Sequence, residues 1–519
     1  MSTDPDAVPG PVPGGPEGRA TSSLWLATRP VAPRSAPFEP GRRYDTAVVG
    51  AGITGLATAV LLARAGQRVV LIEKSGIGAV TTGHTTAKLS LLQGLSLSRV
   101  RSHQGDEVLA AHVSANLAGQ EWLLGFLDAH GVGYQRRTAY TYATTVAGEE
   151  LLTDELAASR AAGLPVTRAD DTGLPYEVRA AIQLPDQVQF HPMDVLAALL
   201  AEFESLGGVL HVGVRVHGLR MGTPCTVVTL AGDVGADHVV LATGTPIVDR
   251  GAHFARLKAL RSYALALEVP GAPATIPQGM YLSVDEPVRT LRTVPLGDTE
   301  LLIVGGQGHE VGRAATGDRY TELASWSERY FPGAVVKHAW SAQDYQEASG
   351  LPSVGRLPLT GGRVLAATGF DKWGLTNGVA AALRLTYLIT GDQPTPGMAD
   401  WADRLDRIHL GGPGAADLLR YSGMVAIEAA LGWKSAEQRP IGDVDEGHGE
   451  IGRLGVRPAA RSTVDGRTCT VSAVCTHLGG IVGWNDAEQT WDCPLHGSRF
   501  APGGALIEGP AVDDLERLE

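Results

Sequence analysis

The stretch YDTAVVGAGITGLATAVLLARAGQRVVLIEK, residues 44–74, decides the fold. Residues 47–49 have the pattern of a buried strand, residues 54–65 that of a helix, and residues 68–72 that of a second strand, which ends at Glu73. The turn between the first strand and the helix, GAGITG at residues 50–55, has G-x-G-x-x-G spacing. These glycines permit a tight turn, close approach of the backbone to a pyrophosphate, and close packing of the helix on the strand. The unit predicts a dinucleotide site with the phosphates at the helix N-terminus and a ribose at Glu73.

Composition restricts the class of protein. The chain has 519 residues and a formal net charge of −13, which disfavours a nucleic-acid or anionic-membrane partner. Its four cysteines are too few for a disulfide framework, so we expect a reducing, cytoplasmic location. Residues 1–43 are rich in proline and glycine and predict a disordered leader. No apolar run reaches the roughly 18 residues that a membrane span needs.

The remaining chain predicts two further kinds of structure. Residues 260–311 are rich in β-patterns, which favours an antiparallel sheet that roofs a substrate pocket. Within them, LLIVGGQG at residues 301–308 is similar to a second nucleotide turn, but its spacing is wrong, so no NAD(P)H site is expected. Residues 396–439 predict a helical connector. Residues 440–519, with short strands and many turns, predict a small all-β module.

Two short motifs near the C-terminus carry potential metal ligands, CTHLGG at residues 475–480 and CPLHGS at residues 493–498. Along the chain the ligand types alternate: Cys475, His477, Cys493, His496. A zinc finger instead groups its cysteines and then its histidines. A [2Fe–2S] cluster with two thiolates on one iron and two imidazoles on the other needs two such loops facing each other. The motifs closely resemble the Rieske family, and the resemblance implies that these four residues are the cluster ligands.

This Rieske-like segment departs from the respiratory type. Respiratory members carry two disulfide-forming cysteines at the positions of Gly480 and Leu495. Ser498 matches the family's serine that hydrogen-bonds a cluster sulfur, whereas Phe500 stands where high-potential members often carry tyrosine. Fewer hydrogen bonds to the sulfurs stabilise the reduced cluster less. We therefore expect a lower reduction potential than in respiratory Rieske proteins.

Three segments favour FAD over NAD at the first site. Residues 241–246, LATGTP, resemble the strand end of glutathione-reductase-like FAD folds, and Val216 matches the position whose backbone holds the adenine there. Residues 368–376, TGFDKWGLT, resemble the flavin-cradling part of the glycine/D-amino-acid oxidase superfamily, with a helix N-terminus near the flavin N1/O2 edge. From residue 44 onward the chain resembles bacterial FAD-dependent oxidoreductases of this superfamily fused to a C-terminal Rieske domain.

The resemblance implies an α/β FAD-binding domain, an antiparallel substrate domain and a small all-β Rieske domain. It divides residues 44–395 into FAD-binding parts (44–100, 190–250 and 345–395) and substrate-binding parts (101–189 and 251–344). It implies FAD contacts from Gly50, Gly52, Ile53, Thr54, Gly55, Glu73, Lys74, Gly83, His84, Thr85, Thr86, Val216, Thr243, Gly244, Gly369, Lys372, Trp373, Gly374, Leu375 and Thr376.

Four residues are candidates for catalysis. Related enzymes place the loop at residues 82–88, TGHTTAK, against the flavin, and some attach FAD through a histidine there. His84 is thus either an attachment site or a hydrogen-bonding or packing residue. Lys88 either acts electrostatically near flavin N5 or pairs with an acid. Asp344 either favours a cationic amine or has a structural role, and Tyr345 follows it in the same segment. Five residues of the predicted roofing sheet are either pocket-lining or structural: Arg261, Tyr263, Tyr281, Arg292 and His309.

The resemblance implies a dehydrogenase acting on a carbon–nitrogen bond of a small amine or amino-acid-like substrate. The substrate would transfer a hydride to FAD N5, and electrons would pass singly through the [2Fe–2S] cluster to an external acceptor such as a ferredoxin, a quinone or oxygen. Alternatively, the Rieske domain receives electrons from a redox partner, and the FAD site performs a reduction or an oxygen-dependent reaction. A third hypothesis is that the protein is an electron-transfer module without an organic substrate.

Overall fold

The computed structural model describes residues 22–33, 35–248, 250–313, 318–406 and 413–519. Its helices, in chain order, are α1 (Leu24–Thr28), α2 (Ile53–Arg64), α3 (Ser96–Gln104), α4 (Asp106–His130), α5 (Val146–Ala161), α6 (Pro192–Ser205), α7 (His253–Arg256), α8 (Arg319–Tyr330), α9 (Gly374–Thr390), α10 (Met398–Leu405) and α11 (Pro413–Gln438). Its strands are β1 (Arg43–Val49), β2 (Val69–Glu73), β3 (Lys88–Leu89), β4 (Tyr134–Ala143), β5 (Thr167–Arg168), β6 (Ala180–Phe190), β7 (Val209–Val212), β8 (Val216–Arg220), β9 (Cys225–Thr229), β10 (Gly232–Leu241), β11 (Leu257–Glu268), β12 (Met280–Ser283), β13 (Arg289–Leu296), β14 (Thr299–Glu310), β15 (Val335–Glu347), β16 (Ser353–Arg356), β17 (Val364–Thr368), β18 (Gly449–Leu454), β19 (Arg457–Val464), β20 (Arg467–Ser472), β21 (Gly483–Asn485), β22 (Thr490–Asp492), β23 (Arg499–Phe500) and β24 (Leu506–Glu508).

The first sheet carries the βαβ unit predicted from residues 44–74. Its strand order is β16-β17-β10-β1-β2-β7, and β1 pairs in parallel with both β2 and β10. Helices α2 and α9 share one apolar core with β1, where Val48, Leu56 and Val379 are all fully buried. The strands are apolar because helices or loops cover both faces of a parallel sheet.

The second sheet covers the dinucleotide domain, with the order β15-β11-β14-β13-β12-β4-β6-β3. Residues 301–308 lie within β14, which pairs antiparallel with β11 and β13, so this glycine-rich stretch is a sheet strand as expected. The antiparallel sheet predicted for residues 260–311 is confirmed, since β11, β12, β13 and β14 pair antiparallel. At its edge, β12 pairs in parallel with β4. The long chain segment between these two strands returns through the first sheet. It therefore brings two antiparallel units together side by side.

The C-terminal module consists of a three-stranded sheet, β18-β19-β20, and a four-stranded sheet, β21-β22-β23-β24. Its core contains Trp491 and Phe500, both with no exposed surface. Helix α11 precedes it, with Tyr421 buried against the neighbouring elements. In the part of the chain that is described, no helix has both the length and the apolar character that crossing a bilayer requires.

The prediction that residues 1–43 form a disordered leader is wrong for residues 22–33 and 35–43. These residues include helix α1, in which Leu24 and Trp25 are 1% and 0% exposed. Both side chains belong to the main apolar core. Their burial stabilises this segment, which the proline-rich composition did not indicate. Residues 1–21 lie outside the described residues.

Candidate functional site

A deep cavity opens where the carboxyl ends of β1, β2 and β10 meet the second sheet. Its cavity volume is about 320 Å³, within the roughly 300–1,000 Å³ of pockets that bind small molecules and cofactors. Most residues predicted to contact FAD line it, namely Gly50, Gly52, Ile53, Thr54, Glu73, Lys74, His84, Thr85, Thr86, Val216, Thr243, Gly244, Lys372, Trp373, Gly374 and Leu375. The lining of the cavity is that expected of a dinucleotide site.

The glycine turn has the shape that its spacing predicts. Gly50 has a φ of +102°, a conformation that favours glycine. A Cβ at Gly50 would overlap the carbonyl oxygen of Ala242, and a Cβ at Gly55 would overlap the carbonyl oxygen of Gly50. Gly55 therefore supports the turn from behind the cavity wall and is not among the lining residues.

Glu73 ends β2 at the cavity and is 8% exposed. Its two carboxylate oxygens accept hydrogen bonds from the backbone N–H groups of Ala51 and Ser75, both at 2.8 Å. Burial raises the pKa of Glu73, and these hydrogen bonds act against that rise. Each oxygen keeps a second lone pair. The predicted contact with a ribose hydroxyl thus remains available to Glu73.

The loop at residues 82–88 begins as a 3₁₀ turn, Thr82–His84, and its outward carbonyl groups are all held by side chains. The carbonyl oxygens of five consecutive residues accept hydrogen bonds: Gly83 from Ser23, His84 from Trp340 (2.8 Å), Thr85 from Trp25 (2.6 Å), and Thr86 (3.0 Å) and Ala87 (2.6 Å) from Arg292. Gly83 itself packs against Gly78 and Leu26 behind the cavity wall. The loop is anchored from outside, and its cavity face is left free.

The His84 imidazole has a defined tautomer. Its Nδ1 lies 2.7 Å from the Val80 carbonyl oxygen, which only accepts, so Nδ1 carries the proton. Burial lowers the pKa of His84, which keeps the ring neutral. The unprotonated Nε2 is therefore the nitrogen available for another contact.

Lys88 lies on β3 and lines the cavity, with 8% of the residue exposed. Its Nζ donates to the Tyr281 carbonyl oxygen at 2.7 Å and to the Thr290 hydroxyl. Burial, with a smaller effect of Arg292, lowers the pKa of Lys88 to about 7. The predicted alternative that Lys88 pairs with an acid is wrong within the described part of the chain, where its Nζ bonds to a carbonyl and a hydroxyl and to no carboxylate.

Asp344 holds the segment predicted to cradle the flavin. Its carboxylate accepts from the backbone N–H of Lys372 and from that of Tyr345, the latter at 2.7 Å. Lys372 has a φ of +71°, and this contact fixes that uncommon conformation. Burial raises the pKa of Asp344 to about 7. Of the two predicted roles, the geometry favours the structural one.

Helix α9 starts at Gly374, so its N-terminus points to the cavity beside Lys372 and Trp373. Two other predicted contact residues lie behind this wall. Gly369 packs on Glu347, and the Thr376 hydroxyl donates to the Ser90 carbonyl oxygen at 3.3 Å. The positive end of the helix dipole would face a bound anion or an electron-rich ring edge.

The structure places Tyr345, predicted as a catalytic residue, outside the cavity lining. Adjacent strand residues point to opposite faces of a sheet, so Asp344 and Tyr345 of β15 cannot both face the cavity. The Tyr345 hydroxyl donates to the Gly509 carbonyl oxygen at 3.3 Å and accepts from Gln343 at 2.9 Å. Tyr345 therefore contacts the C-terminal module.

Of the five roofing-sheet candidates, Tyr263 lines the cavity. The other four have structural contacts. Arg292 holds the loop carbonyls described above, and Tyr281 donates to the Thr172 carbonyl oxygen at 2.8 Å. Arg261 is fully buried beside Asp492, and His309 lies 3.1 Å from the Tyr263 hydroxyl.

The two Cys–His loops have the same geometry. Cys475 N donates to the Gly480 carbonyl oxygen and Cys493 N to that of Ser498, both at 2.8 Å. The two thiols lie next to each other, and the rings of His477 and His496 are 5.0 Å apart at 87°. A paired thiol set beside a paired imidazole set is the donor arrangement of a cluster with two irons.

The surroundings also fit a binuclear cluster. Among the described residues, no three His, Cys, Asp or Glu side chains surround one ion position. A Rieske cluster does not require this, because each iron takes only two protein ligands. A Cβ at Gly480 would lie 3.1 Å from Cys493 Sγ, so glycine keeps this space clear.

Comparison with known proteins identifies both parts. Residues 45–388 match the DAO family of FAD dependent oxidoreductases, and residues 440–519 match the Rieske [2Fe-2S] domain. The chain is an FAD-dependent oxidoreductase of the DAO family with a C-terminal Rieske domain. The DAO domain binds FAD, and the Rieske domain binds a [2Fe–2S] cluster.

Relatives share this organisation or the flavin fold. A Rieske 2Fe-2S iron-sulfur protein of Bacillus subtilis (strain 168), YhfW, is 30% identical over 506 residues, which cover 96% of this chain and 98% of YhfW. Glycine oxidase from Geobacillus kaustophilus has a TM-score of 0.56 at 20% identity, covering 69% of this chain and 98% of its own. L-proline dehydrogenase from P. horikoshii has a TM-score of 0.57 at 18% identity, covering 71% and 99%. The last two show the fold alone.

The FAD cavity lies close to the cluster ligands. His477 and His496 line a small cleft together with Thr245 and Tyr345. The Tyr345 ring also lies 3.7 Å from the Cβ position of Gly244, which lines the FAD cavity. A few residues thus separate the two cofactor sites.

Some residues of the site were not predicted. Thr82 accepts a hydrogen bond from the Ile53 N–H at 3.2 Å, beside the glycine turn. Arg215, Leu506 and Glu508 line the cavity at the end marked by Lys74. Leu506 and Glu508 belong to the Rieske domain, so no motif near the FAD fingerprint could have indicated them.

Proposed function

We propose that this oxidoreductase oxidises a carbon–nitrogen bond of a small amine or amino-acid-like substrate and passes the electrons through its cluster to an external acceptor. When bound, FAD accepts a hydride and the [2Fe–2S] cluster carries single electrons. The observation that carries the proposal is that Gly244 and Tyr345 lie between the FAD cavity and the cleft of His477 and His496. It supports direct electron transfer between the two cofactors.

Lys88 is proposed to take a proton from the substrate. Amines oxidised at the carbon–nitrogen bond react as the neutral base, but near neutral pH they are mostly ammonium ions. The Lys88 Nζ lies at the cavity, and its pKa of about 7 leaves a fraction of it unprotonated at that pH. A pKa near the working pH suits a general base.

The apolar side of the cavity is proposed to bind the substrate. Tyr263, Leu282 and Val288 line the cavity near Thr290, the hydrogen-bonding partner of Lys88. The fold is also that of proteins named glycine oxidase and L-proline dehydrogenase, which motivates small amines, glycine and proline as the first substrates to test.

Anaerobic mixing of the holoprotein with these compounds tests the proposal. We expect the flavin absorbance to bleach first and the EPR signal of the reduced Rieske cluster to follow. The Cys493→Ser variant should still bleach but give no cluster signal. Bleaching by no candidate amine, combined with flavin reduction by an added reductase or ferredoxin, would instead support electron flow from the cluster to FAD.

The Lys88→Met variant separates proton transfer from cofactor binding. It should retain FAD and reduce bleaching by on the order of 10²–10⁴-fold, the usual contribution of a general base. Bleaching at the wild-type rate would contradict the role of Lys88.

For the whole protein we retain a cytoplasmic location as a proposal, supported by four cysteines that form no disulfide.

A further inference from the structure

One segment of the Rieske domain belongs to the wall of the FAD cavity. Residues 506–514, here called the shared wall, contribute Leu506, Glu508, Gly509, Ala511 and Val512 to the cavity lining. They lie opposite Lys74 and Arg215. Lys74 follows the predicted ribose ligand Glu73, and Arg215 precedes Val216, the predicted adenine position. The shared wall therefore faces the adenosine end of the site.

Three basic side chains of the FAD-binding domain contact the shared wall. Lys74 Nζ donates to the Ile507 carbonyl oxygen. Arg215 Nη1 lies 2.8 Å from an Asp514 oxygen, and His217 Nδ1 lies 3.1 Å from an Asp513 oxygen. Burial lowers the pKa of Lys74, and the nearby Glu508 carboxylate acts against that change. Lys74 directly follows β2, Arg215 directly precedes β8 and His217 lies in β8, so the contacts come from the strands at the predicted adenosine end.

On its other side the shared wall touches the cluster loops. Ala511 N donates to the Ser498 hydroxyl at 3.0 Å, and the Thr476 hydroxyl donates to the Asp513 carbonyl oxygen at 2.7 Å. Pro510 lines the small cleft that contains His477 and His496. This nine-residue segment thus contributes residues to the FAD cavity and contacts to the cluster loops.

We propose that the shared wall completes the FAD-binding site, so that bound FAD holds the Rieske domain in its docked position and the docked Rieske domain retains FAD. The coupling is reciprocal, because a ligand that contacts both domains favours the state in which they are together. It keeps the cluster beside the flavin whenever FAD is bound. The inference rests on the FAD site and not on the proposed substrate.

A bulky side chain on the shared wall tests this directly. In the full-length protein, Val512→Trp should fill the adenosine end and lower the FAD content per chain by about tenfold, since overpacking a site excludes its ligand. Its iron content should remain that of the wild type. The matched control is Glu516→Trp, because Glu516 is exposed and pairs with Arg457 within the Rieske domain. Wild-type FAD content in Val512→Trp would overturn the proposal.

Hydrogen exchange of the wild-type protein gives a second test that does not depend on a variant folding. Protein from riboflavin-limited and riboflavin-rich cultures should differ in amide exchange at residues 506–514, which FAD should slow at least several-fold. Strand β19, Arg457–Val464, lies elsewhere in the Rieske domain and should not change. Equal exchange at residues 506–514 would overturn the proposal. Failure of the proposed function looks different: FAD content and protection would stay intact while amines cause no bleaching.

Discussion

At the scale of single residues, the turn at Gly50 and Gly55 depends on the absence of side chains. A Cβ at either position would overlap a backbone carbonyl oxygen, and backbone atoms cannot swing away as a flexible side chain can. The two glycines thus set the path of the chain around the site predicted for the pyrophosphate. Their role is steric and local.

The Gly55→Ala variant should therefore lose FAD. We expect a decrease in FAD content of about tenfold or more, because overpacking typically costs ~1–3 kcal/mol and 1.4 kcal/mol is a factor of ten. Flavin absorbance of the purified protein measures it. Gly125→Ala is the matched control, since the Cβ position of Gly125 has no atom within 4 Å. Equal flavin content in the two variants would contradict the steric role.

Lys88 makes stability depend on pH. Its folded-state pKa of about 7 lies below that of an unfolded lysine, about 10.4, so the unfolded chain binds more protons between these values. Stability from this residue therefore rises as the pH increases through that window. Between about pH 7 and pH 9, the unfolding free energy of the wild type should rise by about 2 kcal/mol relative to Lys88→Met.

Denaturant unfolding of both proteins at the two pH values measures this difference. Lys337→Met serves as the control, because the Lys337 side chain is 45% exposed. Parallel pH profiles for the wild type and Lys88→Met would show that Lys88 carries an ordinary charge.

Ser498 contacts both the cluster and the shared wall. Its hydroxyl lies within hydrogen-bonding range of the Cys475 thiol and accepts from Ala511 N at 3.0 Å. A hydrogen bond to a charged group contributes about 1.5–3 kcal/mol, which for one electron corresponds to roughly 60–130 mV. We expect Ser498→Ala to lower the cluster potential by that amount in a redox titration followed by EPR. Ser462→Ala, at a buried serine of the same domain, should leave the potential unchanged.

Among the secondary-structure elements, helix α1 helps to anchor the loop at residues 82–88. Ser23 and Trp25 hold two of the five carbonyls that anchor residues 83–87, and Trp340 on β15 and Arg292 on β13 hold the others. Arg292 also lies over the Trp25 ring, 5.3 Å from its centroid. Three elements distant in sequence thus fix one loop.

Removing one of these bonds should loosen the loop. Trp25→Phe keeps an aromatic side chain but removes the indole N–H, which leaves the Thr85 carbonyl without that partner at a cost of roughly 1–3 kcal/mol. We expect faster amide exchange at residues 82–86 and faster loss of FAD on dialysis, or faster exchange alone if the flavin is covalently attached. Trp326→Phe, which alters a ring cluster with Tyr176 and Tyr330, is the control. Unchanged exchange in Trp25→Phe would show that α1 does not anchor the loop.

At the scale of the whole molecule, buried charge joins the Rieske domain to the second sheet. Arg261 of β11 is fully buried, and its Nε lies 3.6 Å from an oxygen of Asp492 on β22. Asp492 is also close to Arg499, at 3.5 Å. Separating the domains would leave these charges without their partners, so the interface stabilises one docked position.

Asp492→Asn should uncouple the domains. Removing one partner of a buried ion pair costs about 3–5 kcal/mol, because the other charge stays buried. In thermal unfolding we expect the loss of the cluster absorbance to precede the release of flavin fluorescence, where the wild type shows one transition. Glu268→Gln breaks an exposed ion pair with Lys337 and should cost at most about 1 kcal/mol. A single shifted transition in Asp492→Asn would argue against a role in docking.

Prediction from sequence succeeded where chemistry is local. The glycine turn and the two Cys–His loops each extend over a few residues of chain, so their spacing and the family resemblance were enough to predict FAD and a [2Fe–2S] cluster. It was wrong where a residue's direction decides its role. Tyr345 lies outside the cavity lining although its neighbour Asp344 on β15 is part of it. Residues 22–33 and 35–43 pack on the protein because Trp25 is buried in a core formed by distant segments.

Short motifs were enough to predict the two cofactors, because turn geometry and ligand spacing follow from short-range sterics. The contact of the Rieske domain with the FAD cavity is visible only in the folded protein. Lys74 and Ile507 are 433 positions apart, yet they are hydrogen-bonded at the adenosine end of the FAD site. Such a contact depends on how two folded domains dock, and no local pattern encodes the complementary surfaces that make them do so.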